Sequence, residues 1–124
     1  MGRAAAAAGT RTIAATPHIR EDHPFDPAVI APRVAELNDA LLAESVDVEV
    51  IAGGEVAVSK LSELDDATLS SLSLGGGSPY LLVESPYTYA TDLLERNLFD
   101  VQVRGFKVVL AHSERSPSFI SDPP

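Results

Sequence analysis

The chain has 124 residues, 45% of them hydrophobic, which fits one globular domain with a real core. Eighteen acids against nine Lys and Arg give a net charge of −9, which leaves no basic stripe for nucleic acid and disfavours an anionic membrane surface. There is no cysteine, so disulfides and thiolate zinc sites are excluded, and a reducing cytosol is compatible.

The opening, MGRAAAAAGT, has no adequate apolar signal core, and Ala6 stands where a myristoylation signal needs Ser or Thr. Alanines favour helix from Arg3 to Ala8, with Gly9 as a stop. RTIAAT is a β-capable run, expected as a strand over 11–15 and ending at Pro17-His18, and IREDHPFDP is a Pro-containing loop. Asp26-Pro27 or Ala31-Pro32 opens the next helix, since Pro is tolerated in a first turn. Ile30, Val34, Leu37 and Leu41 then mark one face of an amphipathic helix over 31–43. Val46, Val48 and Val50 alternate as a strand over 46–51, which Gly53-Gly54 breaks before Glu55. SELDDATLSSLSL reads as one or two short helical turns and GGGS as a loop. YLLVE is a strand over 80–84, and Leu93, Leu94, Leu98 and Val101 predict a helix over 90–103 with Gly105 at its C-terminal turn. FKVVLA is a last strand, over 107–111, ending at His112, and the tail SPSFISDPP has no element of its own. No stretch approaches the roughly 18 apolar residues of a membrane span, so no membrane insertion is expected.

Strand and helix patterns alternate, so the expected architecture is α/β, with a parallel sheet or barrel of β–α units. Functional residues of such folds gather at the C-terminal ends of the strands. Four successive strand ends carry His18, Glu55, Glu84 and His112. Glu84 closes an apolar run, and a lone carboxylate entering a core costs several kcal/mol unless something positive meets it. Two imidazoles and two carboxylates are poor core residues and good ligands for manganese, iron or zinc. Each alone also reads as a surface or hydrogen-bonded side chain; the four in register point to a metal. The negative net charge does not oppose a phosphorylated substrate, because metal ions reverse the local field.

The segments ATPHIR, GGEV, YLLVESP and VLAHSER resemble successive motifs of the PHP (polymerase and histidinol phosphatase) superfamily. Within it they most resemble the bacterial manganese-dependent protein-tyrosine phosphatases of capsule and exopolysaccharide synthesis. The spacing agrees, with 29 residues from Glu55 to Glu84 and 28 from Glu84 to His112. The resemblance implies a partial distorted β/α (TIM-like) barrel of about four parallel strands with flanking helices, and a metal centre at its C-terminal rim. It puts His18 on the TPH ligand, Glu55 on the GxE carboxylate, Glu84 on the glutamate bridging two metals, and His112 on the histidine of AHPER. Glu84, Glu55 and His112 are expected to share an ion, with His18 further off at another. Arg115 resembles the arginine of that last motif, a phosphate-facing catalytic cation, and reads equally as a solvated loop arginine. His23, in EDHPFDP, reads as exposed rather than ligating. Tyr87 and Tyr89 read either as flanks of an aromatic substrate or as packing and rim residues.

The chain also departs from the family pattern. It has no Asp-x-His-x-His strand, the later Asp-x-His pair would fall after residue 124, and Ser113 replaces the usual proline. The expectation is therefore a single partial PHP domain over 1–124, carrying four expected ligands without the other half of the cage. The implied activity is Mn2+-dependent phosphomonoester hydrolysis in the cytoplasm, on phosphotyrosine of the tyrosine kinase that controls polysaccharide export. Histidinol phosphate and other small phosphomonoesters are the enzymatic alternatives. A non-catalytic remnant, or a module assembled with a partner, is the alternative from another class. Open sheet edges imply self-association.

Overall fold

The computed structural model describes residues 1–20, 26–85 and 91–112. The alanine run forms helix α1, Gly2–Ala7, which stops at Gly9 with a φ of +92°, a backbone that glycine adopts without a Cβ clash. Strand β1, Thr12–Ala15, and the two-residue strand β2, His18–Ile19, follow. Pro17 between them has no N–H for a ladder, so one β-capable run becomes two. Asp26 accepts from the Ala28 N–H at 3.0 Å and caps a 3-10 turn, Pro27–Val29, that runs into helix α2, Ile30–Ala43. Next come β3, Glu49–Ala52, and β4, Glu55–Ala57, then a 3-10 turn, Val58–Lys60. Val46 and Val48, expected at the head of β3, precede it, although Val48 is buried. Helix α3, Asp66–Leu72, strand β5, Tyr80–Glu84, helix α4, Thr91–Val103, and strand β6, Lys107–Ala111, complete the order.

Every strand pair among the described residues is parallel. β1 pairs with β3, and β2, β4, β5 and β6 form a four-stranded sheet in that order. The four expected strand paths are therefore present, with the first broken at Pro17 and the second at Gly53-Gly54. The fold is α/β, with parallel strands in two sheets flanked by helices, and among the described residues β6 pairs with β5 alone.

The second break is built by close approach. The Gly54 N–H leaves the ladder and donates to the Leu72 carbonyl of α3 at 2.9 Å, while the Glu55 N–H donates to the Pro17 carbonyl at 2.9 Å. A Cβ on Gly54 would stand 2.9 Å from Leu72 Cδ2 and 3.2 Å from Ile19 Cγ1. A larger residue there would have to push both buried side chains aside.

The core lies on one face of the four-stranded sheet. Ile19, Val56, Leu81 and Val83 meet Leu69 and Leu72 of α3 and Leu94 and Val101 of α4. On α4 the inward position between Leu94 and Val101 is Asn97, which is 5% exposed and donates to the Val58 carbonyl at 2.7 Å; Leu93, expected inside, is 39% exposed. Arg104, just past α4, donates to the carbonyls of Leu61 and Leu64 at 3.2 and 2.7 Å and to Asp66 Oδ1. These bonds hold the segment after β4 against α4, because buried carbonyls need a donor.

Candidate metal centre

His18, on β2, is the cross-strand partner of Glu55, on β4, which in turn faces Leu82 on β5. Two residues further, Ala57 pairs with Glu84 and Glu84 with Ala111. Side chains alternate along a strand, and partners across a parallel ladder share a face. His18, Glu55 and Glu84 therefore project to one side, opposite the core residues Ile19, Val56 and Val83.

They converge on one point. His18 Nδ1 lies 3.2 Å from Glu55 Oε2 and 3.1 Å from Glu84 Oε2, and one ligand atom from each residue falls within 4.8 Å of the others. Both glutamates are 5% exposed, whereas the two imidazoles are nearly half exposed. Two adjacent buried carboxylates cost several kcal/mol unless paired and hydrogen-bonded. Part of that compensation is present: Arg20 Nη1 donates to Glu84 Oε1 at 3.2 Å, and His112 Nε2 is 3.8 Å from Glu55 Oε1. Yet Glu55 Oε1 and Glu84 Oε2 accept no hydrogen bond among the described residues.

His112 reaches the group by a different route. Alternation would send it to the core side of β6, where Leu110 packs. Its φ of 51° lies in the left-handed region, which ends the alternation and lets the ring approach Glu55. That backbone costs about 1–2 kcal/mol in a residue with a Cβ, and such outliers cluster at functional sites.

The donor set fits a divalent cation. Ligand atoms about 2.0–2.2 Å from a common ion stand roughly 3.0–3.6 Å apart; His18 Nδ1 meets the two carboxylates at 3.2 and 3.1 Å, and the three-residue group as a whole lies within 4.8 Å, so an ion would draw it slightly closer. Carboxylate oxygen with imidazole nitrogen suits hard-to-borderline ions. His18, Glu55 and Glu84 are thus a set able to hold a metal.

The four candidate ligands therefore come to one rim, but in a different grouping from the one expected. His18 belongs to the tight group, because the β2–β4 register sets it directly across from Glu55; His112 is the outlying member. Arg20 was missed, although its place two residues after His18, on the same face of an extended segment, was the available signal. Arg115, His23, Tyr87 and Tyr89 lie outside the described residues.

Parallel strands with helices between them, carrying carboxylates and imidazoles on one rim, make this an α/β protein with a candidate metal site. The chain belongs to the capsular polysaccharide synthesis CpsB/CapC family, whose sequence profile matches residues 1–123. It is 33% identical over 124 residues to the tyrosine-protein phosphatase YwqE of Bacillus subtilis (strain 168), covering 99% of this chain and 48% of that protein. It also matches a solved structure from work on YwqE of Bacillus subtilis and CpsB of Streptococcus pneumoniae, described there as unique metal-dependent tyrosine phosphatases. The TM-score is 0.79 at 29% identity, over 99% of this chain and 50% of the other. The chain spans about half the length of the relatives it matches. No helix among the described residues is long and apolar enough to cross a membrane.

Proposed function

We propose that the chain forms part of a manganese-dependent protein-tyrosine phosphatase whose substrate is phosphotyrosine on a tyrosine kinase of polysaccharide export. The observation that carries this reading is the pair of buried, unsatisfied carboxylate oxygens, Glu55 Oε1 and Glu84 Oε2, beside His18 on the rim of a CpsB/CapC-family fold. Bound divalent ions supply an activated water and neutralise charge on the phosphoryl oxygens. His18, Glu55 and Glu84 would hold one ion, and His112, 3.8 Å from Glu55 Oε1, would be available to another. Arg115 is assigned to the phosphoryl group as a catalytic cation. The two carboxylates suit manganese, and the likeness to metal-dependent relatives supports a metal ion at the site. The reaction belongs to the cytoplasm, where ATP-dependent kinases phosphorylate tyrosine.

The half-length coverage supports a single partial domain, with further ligands supplied by segments outside the 124 residues. The same observation favours the second reading, a module assembled with a partner. In-line phosphoryl transfer of this kind uses two ions about 3.5–4 Å apart, and affinity falls with ligand count. The test is phosphate release from a phosphotyrosine peptide, with and without chelator, by this chain and by a version extended to the length of its relatives. The expected result is little or no turnover by the 124 residues even with manganese, and chelator-sensitive turnover by the extended protein that Glu84→Ala abolishes. An extended enzyme indifferent to Glu84→Ala overturns the reading.

A further inference from the structure

We propose that Arg20 is the resident counter-ion of the buried carboxylate pair, and that a divalent ion binds against its charge. The proposal rests on the metal reading above and concerns a residue outside the candidate ligand set. Arg20 follows His18 by two residues, so alternation sends both side chains to the same side of the segment. Its guanidinium, one-quarter exposed, donates through Nη1 to Glu84 Oε1 at 3.2 Å, while the other oxygen, Oε2, is turned toward His18 Nδ1. The two oxygens of Glu84 are thereby distinguished, one occupied by a cation of this chain and the other presented to the ligand cluster.

The charge count gives the consequence. Glu55 and Glu84 ionised contribute −2, and Arg20, paired with Glu84, offsets part of that charge. Without an ion, that compensation favours the fold, because a buried carboxylate left without a cationic partner is strongly destabilising. With a dication between the carboxylates, the same guanidinium repels it across a few ångströms of partly buried space, where charges are weakly screened. Arg20 therefore stabilises the ion-free protein and weakens its hold on the ion. A site so balanced releases metal more readily than its ligands alone would.

The test compares the wild type, extended to the length of its relatives, with Arg20→Met, which keeps the apolar stem and removes the charge, and Arg20→Lys, which keeps the charge. Manganese affinity is measured by titration calorimetry, and thermal unfolding is measured in chelator and in manganese. The expected result is that Arg20→Met lowers the unfolding temperature in chelator and binds manganese about tenfold more tightly or better. Arg20→Lys should lie close to wild type in both. A double-mutant cycle of Arg20→Met with Glu84→Gln in chelator should show coupling between the two positions. Equal or weaker manganese binding by Arg20→Met overturns the proposal, as does Arg20→Lys behaving like Arg20→Met. Binding by none of the three proteins, with the coupling intact, overturns the metal reading instead, and with it the competition proposed for Arg20.

Discussion

A carboxylate 5% exposed beside a second carboxylate weakens the fold that holds it, and a neutral isostere measures by how much. Glu55→Gln keeps the shape and removes one of two like charges. In chelator it should raise the stability from urea unfolding by roughly 1–2 kcal/mol, since buried ionic groups commonly cost more than neutral replacements. In manganese it should lose the ion-induced stabilisation of the wild type. A destabilised Glu55→Gln in chelator would mean that its contacts with His18 and His112 hold the rim together. Asn97 is the opposite case, a polar residue with a purely internal duty. Asn97→Ala leaves the Val58 carbonyl without its donor and should lower stability by about 1–3 kcal/mol. Manganese affinity, corrected for that loss, should barely change. Of these residues, Glu55 was legible because it follows the Gly53-Gly54 break at the end of an alternating strand pattern. Asn97 was not, because nothing in the sequence says that the face shared by Leu94 and Val101 meets a carbonyl.

Among the elements, the broken strand β3–β4 does most to position the site. Gly54 sits against Leu72 and Ile19, and its displacement would move Glu55, the next residue. Gly54→Ala should cost about 1–3 kcal/mol by overpacking and should weaken manganese binding in calorimetry; unchanged affinity would show that the rim tolerates a shift of β4. Helix α3, which supplies Leu72, is capped by Asp65, whose carboxylate accepts from the Thr68 N–H at 2.8 Å. The Thr68 hydroxyl and then its N–H hold that carboxyl below its usual range. A depressed carboxyl stabilises the fold above its unfolded value and loses the contribution as pH falls through the folded one. The stability advantage of wild type over Asp65→Ala should therefore be full near neutrality and shrink below the ordinary carboxylate range, as read from urea midpoints at successive pH values.

At the scale of the whole molecule, the site-bearing face of the sheet is thinly covered. Tyr80 and Val109 on that face are 46% and 40% exposed, and β6 is unpaired on one side among the described residues. An open, partly apolar sheet edge is a template for association. Sedimentation velocity should show concentration-dependent self-association that Val109→Lys reduces; a monomer at all concentrations would show the face to be adequately shielded.

The alternation of β and α patterns, the parallel class and the four polar rim residues were determined by the sequence alone, although His18 and Glu55 open the short strands β2 and β4 instead of closing a strand. They follow from local periodicity and from groups too costly to bury without a partner, and the motifs they form resemble one known family. The ligand grouping was decided only by the tertiary structure. β2 is two residues long, too short for any periodic signal, yet its register sets His18 opposite Glu55. His112 turns inward because one residue takes a left-handed backbone, and alternation would have sent it to the other face. Arg20 meets Glu84 across 64 positions of chain. Register, a single dihedral and a long-range ion pair are properties of how segments lie against one another, and no window of sequence contains both partners.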